Sequence, residues 1–363
     1  MVELRALTSL RGLAAFYVVL LHFSTAFEHH AVATIPSLAP RGYLAVDFFF
    51  VLSGFIMTYS YAADFRQYGF VRAAPSFMIK RVARLIPLHW FITFALLTYT
   101  LAVSPGFTGS VKPAFESANP VRDVIFNLLL LQGLGLAPNM NGPSWSISVE
   151  FFAYLAFPLF LKLVFHTSSW IRGLLAVGAV LALAATAMHG HRLSLETQTV
   201  SWTLVRCFSE FVLGMVVYHS YSMDPRAKRF GTDVVLSIML LIAATMMLLR
   251  LWDLVAVLTF PFIILGVAYN SSWVTRVLDH RFMYFMGVIS FSLYMIHYPI
   301  AYLELSLVKQ LHSQALGQTA ALAVAFAGSL TTIPIAWCTY RWIEYPGRDI
   351  IRSLARRFAV ARE

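Results

Sequence analysis

Charged residues and cysteine are both scarce in this chain. Asp, Glu, Lys and Arg make up 12% of the 363 residues, against 59% hydrophobic residues, and the mean hydropathy is +0.71. So little polar surface excludes a soluble globule of this length and indicates a polytopic membrane protein. The two cysteines, Cys207 and Cys338, lie far apart in apolar surroundings, which excludes a cysteine-based metal or redox motif.

Acidic residues are fewer than basic ones, with 17 Asp and Glu against 27 Lys and Arg and a net charge of +10. The basic residues cluster between apolar segments, where they determine membrane topology and contact anionic lipid headgroups. No basic-aromatic motif interrupts the loops, so no nucleic-acid partner is expected, and we expect no metal. The first apolar stretch lacks a small-residue cleavage site and is expected to remain in the mature protein.

Eleven apolar segments follow one another along the chain. They cover residues 6–27, 44–61, 86–104, 123–137, 145–165, 171–189, 199–219, 233–249, 252–270, 284–304 and 316–338. A helix needs about 20 apolar residues to span the hydrocarbon, and segment 123–137 is shorter. It contains Gly133 and Gly135 and is followed by Pro138, all of which disfavour a regular spanning helix.

The positive-inside rule indicates whether segment 123–137 crosses the membrane. If all eleven segments cross and the loop with Lys80, Arg81 and Arg84 is cytoplasmic, the rule is violated at three places. A re-entrant or interfacial 123–137 moves the basic clusters to the cytoplasm and leaves Arg192 with Glu196, and Arg250 with Asp253, in near-neutral outer loops. We therefore predict an all-α membrane helical bundle of about ten transmembrane helices with both termini cytoplasmic. Residues 1–340 are predicted to form one integral membrane domain, and residues 341–363 a basic cytoplasmic tail.

Arg11 and His22 both lie in the first apolar segment, eleven residues apart. At about 3.6 residues per turn this spacing is close to three turns, so the two side chains share one helix face about 16 Å apart along the axis. Ionisable residues inside a membrane helix are costly and indicate a functional site. The pair predicts polar chemistry within the bilayer.

Asp47 is the only charged residue in GYLAVDFFFVLSGF, residues 42–55. An unpaired carboxylate near a membrane needs a partner, so we expect an Arg or His on a neighbouring helix and a supporting role for the histidine at position 22. The alternative is that Asp47 only caps the start of its helix. Gly54, together with Ser53, is predicted to allow close helix approach.

Lys80, Arg81 and Arg84 lie at the cytoplasmic end of the third segment. Arg81 and Arg84 are three residues apart and so neighbours on a helix face, a geometry that suits phosphate binding. A topogenic cluster that extends to the headgroups explains the same residues equally well.

The stretch WSISVE, residues 145–150, begins the segment after the doubtful one. Glu150 is predicted to pair with His22, because a carboxylate beside an imidazole orients a general base and stabilises its imidazolium. The alternative is that Ser144 and Glu150 cap and charge the first helical turns. The neighbouring side chains predicted to line a substrate cavity are Trp145, Ser146 and Ser148.

Two later motifs carry polar residues. Ser290, Tyr294 and His297 recur at helical spacing on one face and predict cavity lining, although a lone histidine is more often structural. In RWIEYPGRD, residues 341–349, we expect Glu344 to form a structural ion pair with Arg341, and the following proline to end the helix.

These motifs together resemble the acyltransferase-3 family of integral membrane O-acyltransferases, which modify cell-surface and secreted carbohydrates. The resemblance runs nearly end to end. It is carried, in the family's order, by Arg11 with His22, Asp47 with FFVLSGF, Arg81 with Arg84, WSISVE, FSLYMIH, and Glu344 with Pro346. The chain departs from the pattern at Phe151, where relatives often have a second acidic residue.

The resemblance implies ten transmembrane helices, a donor that is usually acetyl-CoA supplied from the cytoplasm, and an acceptor hydroxyl on the far side. It also implies that His22 is essential, that Arg11 supports it, and that Arg81 and Arg84 engage the donor, with Lys80 beside them. Many relatives carry an extracytoplasmic hydrolase-like domain after the membrane domain. We find none here, and so expect direct transfer or a separate polysaccharide-assembly protein as partner.

We therefore expect acyl transfer, in the bacterial inner membrane, from acyl-CoA to an exopolysaccharide, O-antigen or lipid-linked oligosaccharide. His22 would act as general base or transient acyl acceptor, and a relay through Ser146 or Ser148 stays open. One alternative keeps the enzyme and replaces the carbohydrate by a small secreted metabolite. The rival class is a proton-coupled transporter that uses His22, Asp47, Glu150 and His297. The missing internal repeat and the paired arginines favour the enzyme.

Overall fold

All the regular structure in the described part of the chain is helical. The computed structural model describes residues 3–29, 36–103, 119–165, 168–189, 195, 200–311 and 317–360. Its α-helices are α1 (Arg5–His29), α2 (Leu44–Val103), α3 (Pro120–Leu128), α4 (Ser144–Phe165), α5 (Ser169–His189), α6 (Val200–Met223), α7 (Asp233–Leu248), α8 (Asp253–Tyr269), α9 (Trp273–Leu278), α10 (Arg281–Val288), α11 (Ser290–Leu311), α12 (Gln318–Thr339) and α13 (Tyr345–Val360). Within these ranges the predicted all-α class is confirmed.

Most helices coincide with predicted apolar segments, but segment 284–304 is divided between α10 and α11, which are bent by 68° relative to each other. Segments 44–61 and 86–104 both lie in α2, which is interrupted at Gly69, where φ is 75° and ψ is 164°. Glycine adopts this conformation without the steric penalty of a Cβ atom. Among the described residues, five helices are long and apolar enough to cross a membrane, or up to seven if each of two bent pairs is one span. A multi-pass helical bundle follows, while ten crossings and cytoplasmic termini stay predictions.

Segment 123–137 does not form one helix. Its first part belongs to α3, which has nine residues and is preceded by the N-cap residue Asn119, whose side chain accepts a hydrogen bond from the Arg122 amide. A separate 3₁₀ turn follows at Gln132–Leu134. Nine residues rise about 14 Å, less than half of the hydrocarbon thickness, so α3 is too short to span it. The predicted interruption is confirmed, and a re-entrant or interfacial location stays a prediction.

The chain forms two compact units. The first unit comprises Met1–Ala14, Pro40–Met78 and Val149–Val288, and the second comprises Ala15–Ala39, Ile79–Ser148 and Ile289–Glu363. In the first unit a side chain at Gly54 would overlap the Phe211 carbonyl, which shows how closely α2 and α6 approach. This confirms the close approach predicted at Gly54. The predicted domain boundary after residue 340 stays a prediction.

The predicted helix stop at Pro346 is wrong. A π-helical turn at Tyr340–Glu344 leads directly from α12 into α13, which contains Pro346 at its second position. The helical stretch is continuous from α12 through this turn into α13, so Pro346 lies inside it and does not end it.

Candidate active site

Helix α1 carries both Arg11 and His22 and is unbroken between them. In the first unit, the Arg11 Nη2 atom donates to the Gly287 carbonyl at 2.9 Å, in the last turn of α10. A cation at a helix C-terminus is favourable, because the last carbonyls there lack intrahelical partners. Gly12 lies against Met286 and Gly287, so the backbones of α1 and α10 are in close contact at this point. Arg11 thus helps to attach α1 to α10.

His22 is oriented by two hydrogen-bond partners in the second unit. Its Nδ1 atom lies 3.0 Å from the carbonyl oxygen of Val18 and 3.2 Å from Nε2 of His297. A carbonyl oxygen only accepts, so Nδ1 of His22 carries the proton and Nε2 of His297 is an acceptor. The Nε2 atom of His22 then carries a lone pair, and no hydrogen bond within the described residues engages it. This nitrogen has the form of a general base.

His297 is completely buried and packs beside His22, with ring centroids 4.9 Å apart. The prediction that this residue lines a cavity stays a prediction, whereas the structure shows a direct contact with the first-helix histidine. Tyr298, which the sequence reasoning missed, meets the same His22 ring edge-on at 5.7 Å. Its only sequence signal was its position next to His297 in the FSLYMIHYP stretch.

Ser146 and Tyr294 connect the start of α4 to α11. Their hydroxyl oxygens are 2.7 Å apart, and the Ser146 hydroxyl donates to the Pro143 carbonyl at 2.9 Å. Tyr294 is also near His297, with ring centroids 5.7 Å apart. Tyr294 and His297 thus lie on one face of α11, as their spacing predicts, and the lining of a substrate cavity by these residues stays a prediction. Ser290 is buried at the beginning of the same helix, and Trp145 is half-buried beside Ser146.

Ser148 connects α4 to the interrupted segment before it. Its hydroxyl donates to the Leu130 carbonyl in a short hydrogen bond and accepts from the Gly133 amide at 3.0 Å. Leu130 has φ of 58°, so it adopts a left-handed conformation that is unusual for a residue with a side chain. Ser148 is completely buried, and both of its hydrogen bonds satisfy backbone groups of the interrupted segment. A serine at this position is explained by these two bonds.

Glu150, in the first unit, accepts a hydrogen bond from the Tyr154 hydroxyl at 2.6 Å. The same hydroxyl lies 3.3 Å from the Ser53 side chain of α2. Glu150 is the seventh residue of α4, beyond its first turn, which contains no acidic residue; the alternative that Ser144 and Glu150 cap and charge the first turns stays open. The pairing of Glu150 with His22 stays a prediction.

Asp47 has the arginine partner that the sequence predicted. Arg206 of α6 donates from Nε to Oδ1 at 2.5 Å and forms a second, shorter bond from Nη2 to Oδ2. The bidentate pair is fully buried, and a third donor of Arg206 reaches the Leu195 carbonyl at 2.8 Å. Asp47 also lies in the first turn of α2, but the alternative that it only caps this helix is wrong, because both of its carboxylate oxygens bind Arg206. Support of His22 by Asp47 stays a prediction.

Arg206 itself was missed by the sequence reasoning. The signal was available, since Arg206 and Glu210 lie four residues apart inside apolar segment 199–219. The same argument that singled out Arg11 applies to them. Glu210 is fully buried, and its Oε1 atom is 4.0 Å from the Arg206 guanidinium. The cluster therefore holds two carboxyl groups around one cation.

Arg84 is engaged by an acidic residue in the second unit. Its Nη1 atom lies 2.7 Å from Oε1 of Glu344, whose other oxygen accepts from the Ser292 hydroxyl at 2.7 Å. The predicted ion pair of Glu344 with Arg341 is therefore wrong; tertiary contact with α2 outweighs proximity along the chain. Lys80 and Arg81 are half-buried on the same stretch of α2. A donor-binding role for this arginine pair stays a prediction.

A cavity of about 520 Å³ lies in the second unit, between the later part of α2, α11 and α12. Tyr298 is part of its wall, and the Tyr298 hydroxyl donates to the Tyr302 hydroxyl, also in the wall, at 3.0 Å. Because Tyr298 also touches the His22 ring, the cavity begins one side chain away from that histidine. Among the described residues, no group of three or more His, Cys, Asp or Glu side chains is arranged to hold a metal ion.

The sequence matches a known protein family. The family model described as an acyltransferase domain, acyltransferase 3, covers residues 4–341. The acyltransferase MdmB of Streptomyces mycarofaciens is 32% identical over 172 residues, which is 45% of this chain and 40% of that protein. No solved structure matches the chain significantly.

Two staphylococcal relatives align over more of the chain. A putative O-acetyltransferase of Staphylococcus aureus strain COL is 22% identical over 346 residues, and the O-acetyltransferase OatA of Staphylococcus aureus is 25% identical over 334 residues. Each alignment covers 85% of this chain and 53% of the relative. The chain thus spans about half of the length of these relatives. Since the family model covers nearly the whole sequence, this chain belongs to the acyltransferase-3 family.

Proposed function

We propose that this chain is a membrane O-acetyltransferase that transfers an acetyl group from acetyl-CoA to a hydroxyl of an extracytoplasmic carbohydrate. Family membership and the O-acetyltransferase names of the relatives support the reaction class. The apolar helices support a membrane location, which we propose to be the bacterial inner membrane. The single observation that carries the chemistry is His22, whose Nδ1–H is held by the Val18 carbonyl and whose Nε2 carries the lone pair.

In the proposed reaction, Nε2 of His22 accepts the proton of the acceptor hydroxyl while that oxygen attacks the thioester carbonyl carbon. The tetrahedral intermediate collapses, the carbon–sulfur bond breaks, and the CoA sulfur leaves with the proton that His22 received. The imidazolium formed in between is stabilised by the Val18 carbonyl and by the lone pair of His297, both adjacent to Nδ1. General base catalysis of this kind accelerates a reaction by about 10²–10⁴-fold.

Direct transfer requires fewer steps than a serine relay. The hydroxyl groups of Ser146 and Ser148 both donate to backbone carbonyls, so neither proton is directed towards a base. A nucleophilic serine needs an adjacent base that takes its proton. We therefore propose attack by the acceptor hydroxyl itself, with the two serines in structural roles.

We propose that the donor phosphates bind at Lys80, Arg81 and Arg84. A guanidinium carries five N–H donors, so Arg84 retains donors for a phosphate while it holds Glu344. The pantetheine arm then has to carry the thioester from these residues to His22, which lies in the same unit.

The proposal is tested with radioactive acetyl-CoA in inverted membrane vesicles that contain natural acceptors. Label is expected in lipid-linked or polymeric sugars with the wild type, and is expected to be absent with His22→Ala and reduced with Arg84→Ala. His189→Ala is a matched control, since His189 is exposed at the end of α5. If acetyl-CoA is neither consumed nor bound, the donor assignment fails, and a proton-coupled transporter becomes the better-supported hypothesis.

A further inference from the structure

The cavity beside His22 differs from the rest of the proposed site in its chemistry. Its walls are mainly aliphatic and aromatic, with residues such as Phe91, Ile92, Leu303 and Ile335. Its volume of about 520 Å³ lies in the range of small-molecule binding sites, which are mostly apolar with a few placed polar groups. Walls of this kind favour a hydrocarbon occupant over a free sugar or a nucleotide, whose polar groups would lose their hydration without replacement.

The polar groups of the cavity include a tyrosine pair close to His22. Tyr298 and Tyr302 are hydrogen-bonded through their hydroxyls, and the Tyr298 ring contacts both the cavity and the His22 ring. Gly142 leaves room for this ring, because a Cβ at that position would lie 2.6 Å from the Tyr298 Cζ atom. A ligand with one polar end and one apolar end would therefore place its polar end nearest to the proposed base.

The cavity extends away from the residues proposed to bind CoA. Arg84 and the wall residues 91–100 lie on the same helix, so the helix rise carries the wall from about 10 Å to about 24 Å beyond that arginine. The donor phosphates and the cavity thus lie at different heights along α2. The occupant belongs to the acceptor side of the reaction.

The cavity is also accessible from the outer face of the helices. Phe91, Leu303 and Ile335 line it and are 46%, 45% and 41% exposed. They lie on apolar membrane helices, whose exposed faces contact lipid chains. A molecule with a hydrocarbon part can therefore enter from within the bilayer.

We infer that this cavity binds the apolar part of the acceptor, so that the acceptor is an amphipathic alcohol or glycoside with a reactive hydroxyl near Tyr298. The inference rests on the proposed acetyltransferase function and specifies its substrate class. This assignment explains why an apolar cavity lies one side chain away from the imidazole of His22. The acceptor is thereby a lipid-linked or otherwise hydrophobic glycoside, and not a free hydrophilic sugar.

Two glucosides that differ only in their tails test the inference in nanodiscs. With acetyl-CoA as donor, octyl β-D-glucoside below its micellar concentration is expected to be acetylated with kcat/KM roughly tenfold or more above that of methyl β-D-glucoside. Ala95→Trp places a large ring in the cavity wall and is expected to remove this preference. Ala102→Trp makes the same change at an exposed position of α2 outside the cavity and is expected to preserve it.

Binding is measured separately with a photoreactive octyl glucoside and peptide mapping. Label is expected in residues 91–100 and 296–303, at a level reduced by Ala95→Trp and kept by Ala102→Trp. Ile335→Ala, which enlarges the cavity without blocking it, is expected to shift the tail preference to longer chains. The affinity for acetyl-CoA is expected to be unchanged in all three variants.

The outcomes separate this inference from the proposed function. Equal use of both glucosides by the wild type, or labelling that Ala95→Trp does not reduce, overturns the inference while acetyl transfer still stands. If Ala95→Trp impairs octanoyl-CoA as donor but not octyl glucoside as acceptor, the cavity holds the donor's acyl chain and the inference is wrong. A third outcome is photolabelling of the cavity peptides without acetyl transfer to either glucoside. The cavity would then bind lipid, and both the proposed function and the acceptor assignment would fail.

Discussion

Replacement of Asp47 by asparagine is expected to destabilise the first unit, because it removes the carboxylate that pairs directly with the buried Arg206 guanidinium and leaves only the more distant Glu210 of the cluster, at 4.0 Å. Arg206 is 2% exposed and directs two of its donors to Asp47 and a third to the Leu195 carbonyl. Removal of one partner of a buried ion pair costs about 3–5 kcal/mol, since the remaining charge stays desolvated. With an unfolding entropy of about 2.1 cal/mol/K per residue, applied to all 363 residues, this loss of free energy should lower the Tm of Asp47→Asn by roughly 4–7 °C.

The assay is thermal unfolding of the purified protein in nanodiscs, with Glu210→Gln as the matched control. Glu210 is equally buried, but its contact with the guanidinium is 4.0 Å long, so a neutral amide there should lower the stability by about 1 kcal/mol or less. In the double variant Asp47→Asn with Arg206→Gln, the loss should be smaller than the sum of the single losses by about 2–3 kcal/mol.

A larger loss for Glu210→Gln than for Asp47→Asn would refute the assignment of Asp47 as the principal counter-ion of Arg206. Strictly additive losses would refute the pair as a unit. The kcat of the folded fraction is a second measurement, which distinguishes a structural role of Asp47 from a catalytic one. If Asp47→Asn leaves the Tm unchanged and lowers kcat more than tenfold, then Asp47 takes part in the chemistry and the structural assignment is wrong.

Four further outcomes follow from the site. His297→Ala should lower kcat by roughly 10–100-fold with little change in KM, because it removes an acceptor beside the imidazolium; unchanged kcat in a steady-state assay would contradict this. Ser146→Ala should retain kcat within about threefold, whereas an acyl-serine relay predicts complete loss. Ser148→Ala should lower the free energy of unfolding by about 1–3 kcal/mol, measured by thermal unfolding, with the kcat of the folded fraction retained. Arg84→Ala should both raise the KM for acetyl-CoA and destabilise the second unit by about 3 kcal/mol, while Arg81→Ala should affect KM more than stability.

The sequence predicted the helical segments well because membrane helices are determined by local composition. Boundaries such as Ser144–Phe165 and Asp233–Leu248 agree closely with the apolar segments, and the interruption of 123–137 was visible in its glycines and length. The kink at Gly69 was not predicted, since a glycine in a polar connection has no distinctive local pattern. Helical periodicity also placed Tyr294 and His297 on one face, which the structure confirms.

Tertiary partners were harder to predict, since they join residues distant in sequence. Asp47 was expected to pair with a cation, and Arg206 is conspicuous inside an apolar segment, but no local pattern joins these two residues, which are 159 positions apart. Glu344 was assigned to Arg341 because that arginine is near in sequence, whereas a bundle brings Arg84 of a different helix closer. The contact of His22 with His297 likewise depends on how α1 packs on α11, which periodicity on each helix does not determine.

The Val18 carbonyl that orients His22 has an electrostatic consequence for which acceptors can approach the base. Many acid–base sites place a carboxylate behind the imidazole, whereas Nδ1 of His22 meets Val18 O, a dipole on its own helix, and the neutral ring of His297. In the described part of the second unit, no carboxylate hydrogen-bonds either imidazole. The resting ring pair thus presents no fixed negative charge to an incoming molecule. An acceptor that carries a phosphate or carboxylate of its own can approach Nε2 without repulsion from the base.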